Sequence, residues 1–199
     1  EWAGALDARS LPKTTQSAAR RLLLDITGLC VAARKGDYIG ALLASAVSEG
    51  STTAIGHSRA LNPYDAALIN GSAAHGEDFD DTFEGGPIHA GAAIVPAALA
   101  LAEHRGLQGG AVIKGIVVGM EFACRGIMVA PQAIHRAGFH PSGVLCALGA
   151  AAAGAAMLGL PARAIAHAIG IAGSCASGII EYLADGAWTK RFHPGWAAQ

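Results

Sequence analysis

Residues 140–180, HPSGVLCALGAAAAGAAMLGLPARAIAHAIGIAGSCASGII, carry a single charged side chain, Arg163. A run this apolar raises the question of a bilayer span, for which about 20 consecutive apolar residues suffice. Its composition argues against one. The apolar positions are mostly Ala and Gly, and the run is cut at Gly159-Leu160-Pro161 and again between Gly170 and Gly178. Two or three short helices buried on nearly all sides, in a domain core or a subunit interface, account for it better. No membrane association is expected.

Outward from this run, the rest of the chain also reads as helical. Ala18, Leu22, Leu23, Ile26 and Leu29 recur at helical spacing between Thr15 and Ala33, with Arg20, Arg21 and Asp25 off the stripe. Tyr38 to Val47 reads as a second helix. Ser51 to Gly56 is a short β-prone passage. Asn62 suits an N-cap and Pro63 the first turn of a helix through Ala66, Ala67 and Ile69. Ile94–Glu103 and Ala111–Val129 follow as helices separated by the Gly106–Gly110 turn, and Pro131–Gly143 forms a further break. No strand alternation is sustained and no repeat appears, so the predicted class is all-α, a multi-helix bundle-like domain with buried Ala/Gly-rich helices.

The chain has 199 residues, 52% of them hydrophobic, which suits one domain with a substantial core. Aromatics make up only 6%, so that core must be built from small side chains packed closely. The formal net charge is −1 and no Lys/Arg run exists, which excludes nucleic acid as an expected partner. Cys30, Cys124, Cys146 and Cys175 are widely spaced without a C-x-x-C pair, and no cationic leader precedes an apolar stretch. Reduced thiols in a cytoplasmic protein are expected.

In a chain so poor in charge, the densest acidic stretch stands out: His75-Gly-Glu-Asp78-Phe-Asp-Asp81-Thr82. If the helix from Pro63 continues through it, His75, Asp78, Phe79 and Thr82 share one face, with Asp81 at its border and Asp80 turned away. Magnesium–diphosphate chemistry would need a second acidic helix, and a His/Asp metal site of the phosphohydrolase type would need an adjacent His-Asp pair. Neither occurs. Metal-free acid–base work by Asp and His remains. His89 follows a Gly-Gly-Pro-Ile entry. His140 precedes the uncharged helices, where a helix N-terminus disfavours imidazolium and attracts a carboxylate. Lys190, Arg191 and His193 form the cationic cluster that two or three substrate carboxylates would need. His57, His104, His135 and His167 read as structural or surface groups.

The order of these motifs resembles the MmgE/PrpD family, which includes 2-methylcitrate dehydratase, cis-aconitate decarboxylase and iminodisuccinate epimerase. The resemblance runs from about Arg20 to the end. It rests on Asn70-Gly-Ser-Ala-Ala-His75-Gly-Glu-Asp78-Phe-Asp-Asp-Thr82, on the His89 segment running into Val95-Pro96, on Gly138-Phe-His140, on Ile169–Ser174 and on Thr189-Lys-Arg-Phe-His-Pro-Gly195. It implies that residues 1–199 are an all-helical domain, with a smaller α+β domain to follow, often in a homodimer with the active site between the domains. It implies no metal and no organic cofactor. Positions Asp78, Thr82, His89, His140 and Lys190 are implied to line the pocket; Arg191 and His193 are expected on the substrate from the chemistry of the cationic cluster alone. The implied activity is a lyase acting on a small di- or tricarboxylate by proton abstraction α to a carboxylate. Dehydration is the first expectation, and decarboxylation and epimerisation are the variants. A non-catalytic helical module is the reading from another class.

Overall fold

The computed structural model describes residues 1–199, of which 68% are helical. Eleven α-helices surround one small antiparallel ribbon, in agreement with the all-α expectation. They are α1 (Trp2–Ala5), α2 (Lys13–Ala33), α3 (Asp37–Ser45), α4 (Pro63–His75), α5 (Gly91–Arg105), α6 (Gly109–Val129), α7 (Ala133–Arg136), α8 (Pro141–Met157), α9 (Ala162–Cys175), α10 (Tyr182–Asp185) and α11 (Thr189–Ala198). Between α3 and α4, β1 (Glu49–Thr53) pairs with β2 (Ala60–Leu61), with a register shift between Glu49 and Thr52. The β-prone passage is therefore the first strand of a hairpin.

α4 starts where the sequence places it. The Asn62 side chain accepts from the backbone N–H groups of Tyr64 and Asp65, both at 2.9 Å, and Pro63 fills the first turn. From Ile69 to His75 every residue of α4 is buried. α5 is buried to a similar extent, and together with α4 and α8 it forms the centre of the domain. α2 covers one flank through Ile26 and Cys30, both fully buried. Burying an Ile of this kind stabilises by roughly 1.5–3 kcal/mol.

Small residues set how close the helices come. A Cβ on Gly119 of α6 would lie 3.0 Å from the Gly149 carbonyl of α8, and a Cβ on Gly149 would meet the Gly119 carbonyl at the same distance. The closest crossing joins α4 to α11. A Cβ on Gly71 would lie 2.7 Å from the Cα of Gly195, and a Cβ on Gly195 would overlap the Leu68 carbonyl oxygen and the Ser72 hydroxyl. This crossing seats α11 against the end of α4, and the site depends on it.

Three local expectations are corrected. The helix from Pro63 stops at His75, and residues 76–90 are irregular. His75, Asp78, Phe79 and Thr82 therefore share no helical face, and Phe79 is 79% exposed. The chain turns sharply after Gly76, and Asp78 sits at φ +59, a left-handed conformation that Asp accepts more readily than most residues. Asp80 does not turn away; it is buried. Finally, of the two charge-poor helices only α8 is enclosed, because α9 lies on the surface with Ile165 its one buried residue and Ile171 exposed. No helix is long and apolar enough to cross a membrane.

Candidate active site

The irregular segment 76–90 lies beside the start of α8 and the start of α11. Its own carboxylates hold it in place. Asp80 accepts from Nδ1 of His75 at 2.8 Å, and both side chains are fully buried. Asp81 faces the opposite way, where the Gly91 N–H donates to both its oxygens at 3.0 and 3.2 Å. That contact covers the first N–H of α5, an end that favours negative charge. The segment is thus anchored at the last residue of α4 and the first of α5.

His89 and His140 reach the same place from different elements. The His89 N–H donates to Oγ of Ser142 in the first turn of α8, at 3.0 Å. His140 is the N-cap residue of α8, as its place in the sequence implied. Its N–H donates to the Gly178 carbonyl at 2.8 Å, and the Ile180 N–H donates to the Gly138 carbonyl at 2.9 Å. These two bonds bring Tyr182 against the His140 ring, with centroids 5.6 Å apart and an edge-on geometry.

Four imidazoles result, each touching the next. Ring centroids are 4.8 Å apart for His75 and His89, 5.6 Å for His75 and His140, and 5.3 Å for His140 and His193. His193 was expected on the substrate. It lies behind His140, buried, with the two Nδ1 atoms 3.2 Å apart. One of these nitrogens must donate and the other accept, so each ring fixes the tautomer of its neighbour.

At the open edge, Lys190 forms an ion pair with both oxygens of Asp78. Thr82 is exposed, with Oγ1 3.3 Å from Nδ1 of His89. Arg191 points elsewhere. Its guanidinium lies over the Tyr38 ring, 4.7 Å from the centroid, and the Tyr38 hydroxyl donates to Glu77 at 3.0 Å. Asp78, Thr82, His89, His140, Lys190 and His193 thus come together, while Arg191 sits on the outer rim.

Burial governs the charges. It pushes the His140 imidazole down to about 2, and the neighbouring His75, His193 and Lys190 add to the effect. His89 is lowered by burial, with Asp80 opposing, and His193 is lowered chiefly by burial. These three rings are neutral near pH 7 and available as bases or hydrogen-bond donors. Burial also works against the Asp78 charge, but the Lys190 bond and charge outweigh it and hold the carboxyl below the usual carboxylate range. Asp81 is pushed up to about 6, mainly by burial, with the Gly91 bond opposing and the charges of Asp80 and Asp25 adding.

Ligand-type atoms of His75, Asp78, Asp80 and His89 lie within 4.8 Å of one another. In this arrangement Asp78 pairs the Lys190 ammonium and one oxygen of Asp80 accepts from His75. The larger cavities lie away from the cluster. One of about 810 Å³ runs between α2 and α6 and is lined by Leu22, Met120, Cys124 and, at one end, Asp81.

Asp80, Ser142 and Tyr182 belong to this constellation although periodicity does not single them out, and His75, which helical spacing placed on a shared face, belongs to it through Asp80 instead. The His75–Asp80 pairing spans a helix end, where a spacing of five residues has no regular meaning. Ser142 and Tyr182 are brought in only by tertiary contacts.

The chain matches the MmgE/PrpD N-terminal domain over residues 1–199. It is 30% identical to a cis-aconitate decarboxylase-like protein of Aspergillus oryzae, over 100% of this chain and 43% of that protein. It is 29% identical to cis-aconitate decarboxylase of Aspergillus terreus, over 100% of this chain and 42% of that enzyme. Cis-aconitate decarboxylase of Homo sapiens is 35% identical over 70% of this chain and 29% of its own length. The chain spans less than half the length of each of these relatives.

Proposed function

The chain belongs to the MmgE/PrpD family through its N-terminal domain, and from that premise we propose that it forms the helical wall of a cofactor-independent lyase for a small di- or tricarboxylate. The observation that carries the reading is the convergence of His89 and His140, both kept neutral by burial, beside the Lys190–Asp78 pair at an open edge. A neutral imidazole takes a proton near neutral pH and the imidazolium so formed gives it back, and an ammonium pairs a substrate carboxylate as a point charge. Thr82 hydrogen-bonds the substrate at the same edge, and Arg191 and His193 act from the rim and from behind His140. A smaller α+β domain and a second subunit complete the pocket in the cytoplasmic enzyme.

The reaction is proton transfer at the carbon α to a carboxylate. In a dehydration, one neutral imidazole takes the α proton, the electron pair left on carbon forms the double bond and expels the β-hydroxyl, and the imidazolium so formed gives its proton to that hydroxyl, which leaves as water while the second imidazole hydrogen-bonds it. In a decarboxylation, the C–C bond to a carboxylate breaks, CO₂ departs, and the electron pair on carbon takes a proton from an imidazole that has first been protonated by solvent. The names of the relatives favour decarboxylation of a cis-aconitate-like substrate. Water loss from a 2-methylcitrate-like substrate is the second arm of the same assay.

The test is turnover by the complete protein of cis-aconitate, 2-methylcitrate, citrate and iminodisuccinate, with CO₂ release and water loss followed separately. One of the four is expected to be consumed in excess chelator, and His140→Gln and Asp78→Asn are each expected to lower the rate by about 10²–10⁴-fold. No turnover of any substrate overturns the proposal and leaves a non-catalytic helical module, and wild-type rates in both variants overturn the roles given to His140 and Asp78.

A further inference from the structure

Of the buried ionisable side chains, Asp80 and His75 are the two that the proposed chemistry leaves unused. Asp80 is 6% exposed and His75 1%, and both side chains are sealed from solvent. A buried carboxylate is costly unless each oxygen finds a donor. One oxygen accepts from Nδ1 of His75 at 2.8 Å. The other lies 3.6 Å from Nδ1 of His89, just beyond hydrogen-bond length, and has no closer partner. Nε2 of His75 is likewise buried without a partner, among the rings of His89 and His140.

These contacts fix where the ring protons sit. A carboxylate only accepts, so Nδ1 of His75 carries hydrogen. A hydrogen on Nε2 of the same ring would be a buried donor with nothing to receive it, so that nitrogen is bare. The free oxygen of Asp80, 3.6 Å from Nδ1 of His89, favours hydrogen on that nitrogen through its charge, and the Thr82 hydroxyl, 3.3 Å from the same nitrogen, tolerates either role. Nε2 of His89 is then bare as well.

We propose that Asp80 and His75 are the positioning residues of the site: one buried carboxylate holds His75 and His89 in their Nδ1-protonated tautomers and so makes Nε2 of His89 the atom that takes the substrate proton. This rests on the lyase reading for its chemistry and assigns the base, which that reading leaves open between His89 and His140. His140 then carries its hydrogen on Nε2 as a hydrogen-bond donor, with its Nδ1 accepting from His193. Asp78, which the sequence suggests as the carboxylate that orients a histidine, serves Lys190.

The experiment has two arms. In the first, ring ¹⁵N spectra of the 199-residue chain report each tautomer directly. His75 and His89 are expected to show a protonated Nδ1 and a bare Nε2. Asp80→Asn, which keeps the shape and removes the charge, is expected to turn His89 into a tautomer mixture, and Asp80→Glu to restore Nδ1–H. In the second arm, with the complete protein, Asp80→Asn is expected to lower kcat by about tenfold or more with KM within about twofold, and Asp80→Glu to recover part of the loss. A purely structural clamp would leave the His89 tautomer and the kcat-to-KM split unmoved. An Nε2-protonated His75 or His89 in the wild type, or an unchanged His89 in Asp80→Asn, overturns the inference. If Asp80→Asn does not fold, His75→Asn is read at His89 instead, where retention of Nδ1–H supports Asp80 as the cause and its loss overturns it. Absence of turnover in the wild type sinks the lyase reading alone, because the spectra still decide the tautomers.

Discussion

Substituting Gly195 by Ala tests whether the α4–α11 crossing builds the site. The added Cβ would overlap the Leu68 carbonyl oxygen and the Ser72 hydroxyl. The carbonyl belongs to the α4 backbone and cannot rotate away. Relief therefore requires the two helices to part by something on the order of 1 Å, and overpacking of this kind costs about 2–3 kcal/mol. Ala in place of Gly inside a helix returns up to about 1 kcal/mol. The net loss is about 1–2 kcal/mol, which for a domain of this size lowers Tm by roughly 2–8 °C. Lys190 and His193 ride on the same helix, and a misplacement of about 1 Å costs on the order of 10²-fold in turnover. Gly170 supplies the control. It sits inside α9 with nothing within 4 Å of its would-be Cβ, so Gly170→Ala should stabilise by about 0.5–1 kcal/mol. Thermal melts of the two variants, with turnover measured alongside, give opposite signs if the crossing is the determinant. A Gly195→Ala protein that melts with the wild type and retains its activity would refute the reasoning.

Three further outcomes are expected. Asn62→Ala removes the acceptor for two α4 N–H groups and should cost about 1 kcal/mol in chemical denaturation, without altering the histidine spectra. Asp81 has a folded pKa of about 6, above the unfolded value of about 3.9, so the folded state binds its proton more tightly. Its stabilising effect is full below about pH 4 and fades as pH rises through 6, a change of about 2–3 kcal/mol that Asp81→Asn should abolish in pH-dependent denaturation. His140 has the opposite sign: its folded pKa, about 2, lies below the unfolded value of about 6.5. Its ring signals should stay neutral from pH 8 to pH 4, and stability should fall as pH drops below 6.5, less so in His140→Gln.

The helices were legible because their signals are local. Asn62-Pro63 marked the start of α4, and the stripe from Ala18 to Leu29 marked α2, since caps and periodicity act within a turn or two. The acidic stretch misled for the same reason. Helical spacing from His75 to Thr82 is a statement about a helix, and tertiary demands end that helix at His75. Asp80 is more use under two histidines than on an exposed face, and burying it there requires the left-handed turn at Asp78. The motif order brought Asp78, Thr82, His89, His140 and Lys190 into view, while the partner of each had to come from the fold. Arg191 illustrates the limit, because its charge suggested a carboxylate and the ring of Tyr38, far away in sequence, holds it instead.

The ion pair of Asp78 with Lys190 closes a span of 112 residues, and the contact of His140 with His193 closes one of 53. Loops of that length form late, after local helices and their near neighbours have condensed. The histidine cluster is thus a product of the last docking step within this chain. During folding the helical signal should appear first, and the environment of Trp188 and Trp196, which flank Lys190 and His193, should change in a slower phase. On a ribosome, the cluster would assemble only after α11 has emerged, so that a nascent chain carries the other helices of this domain before it carries the cluster.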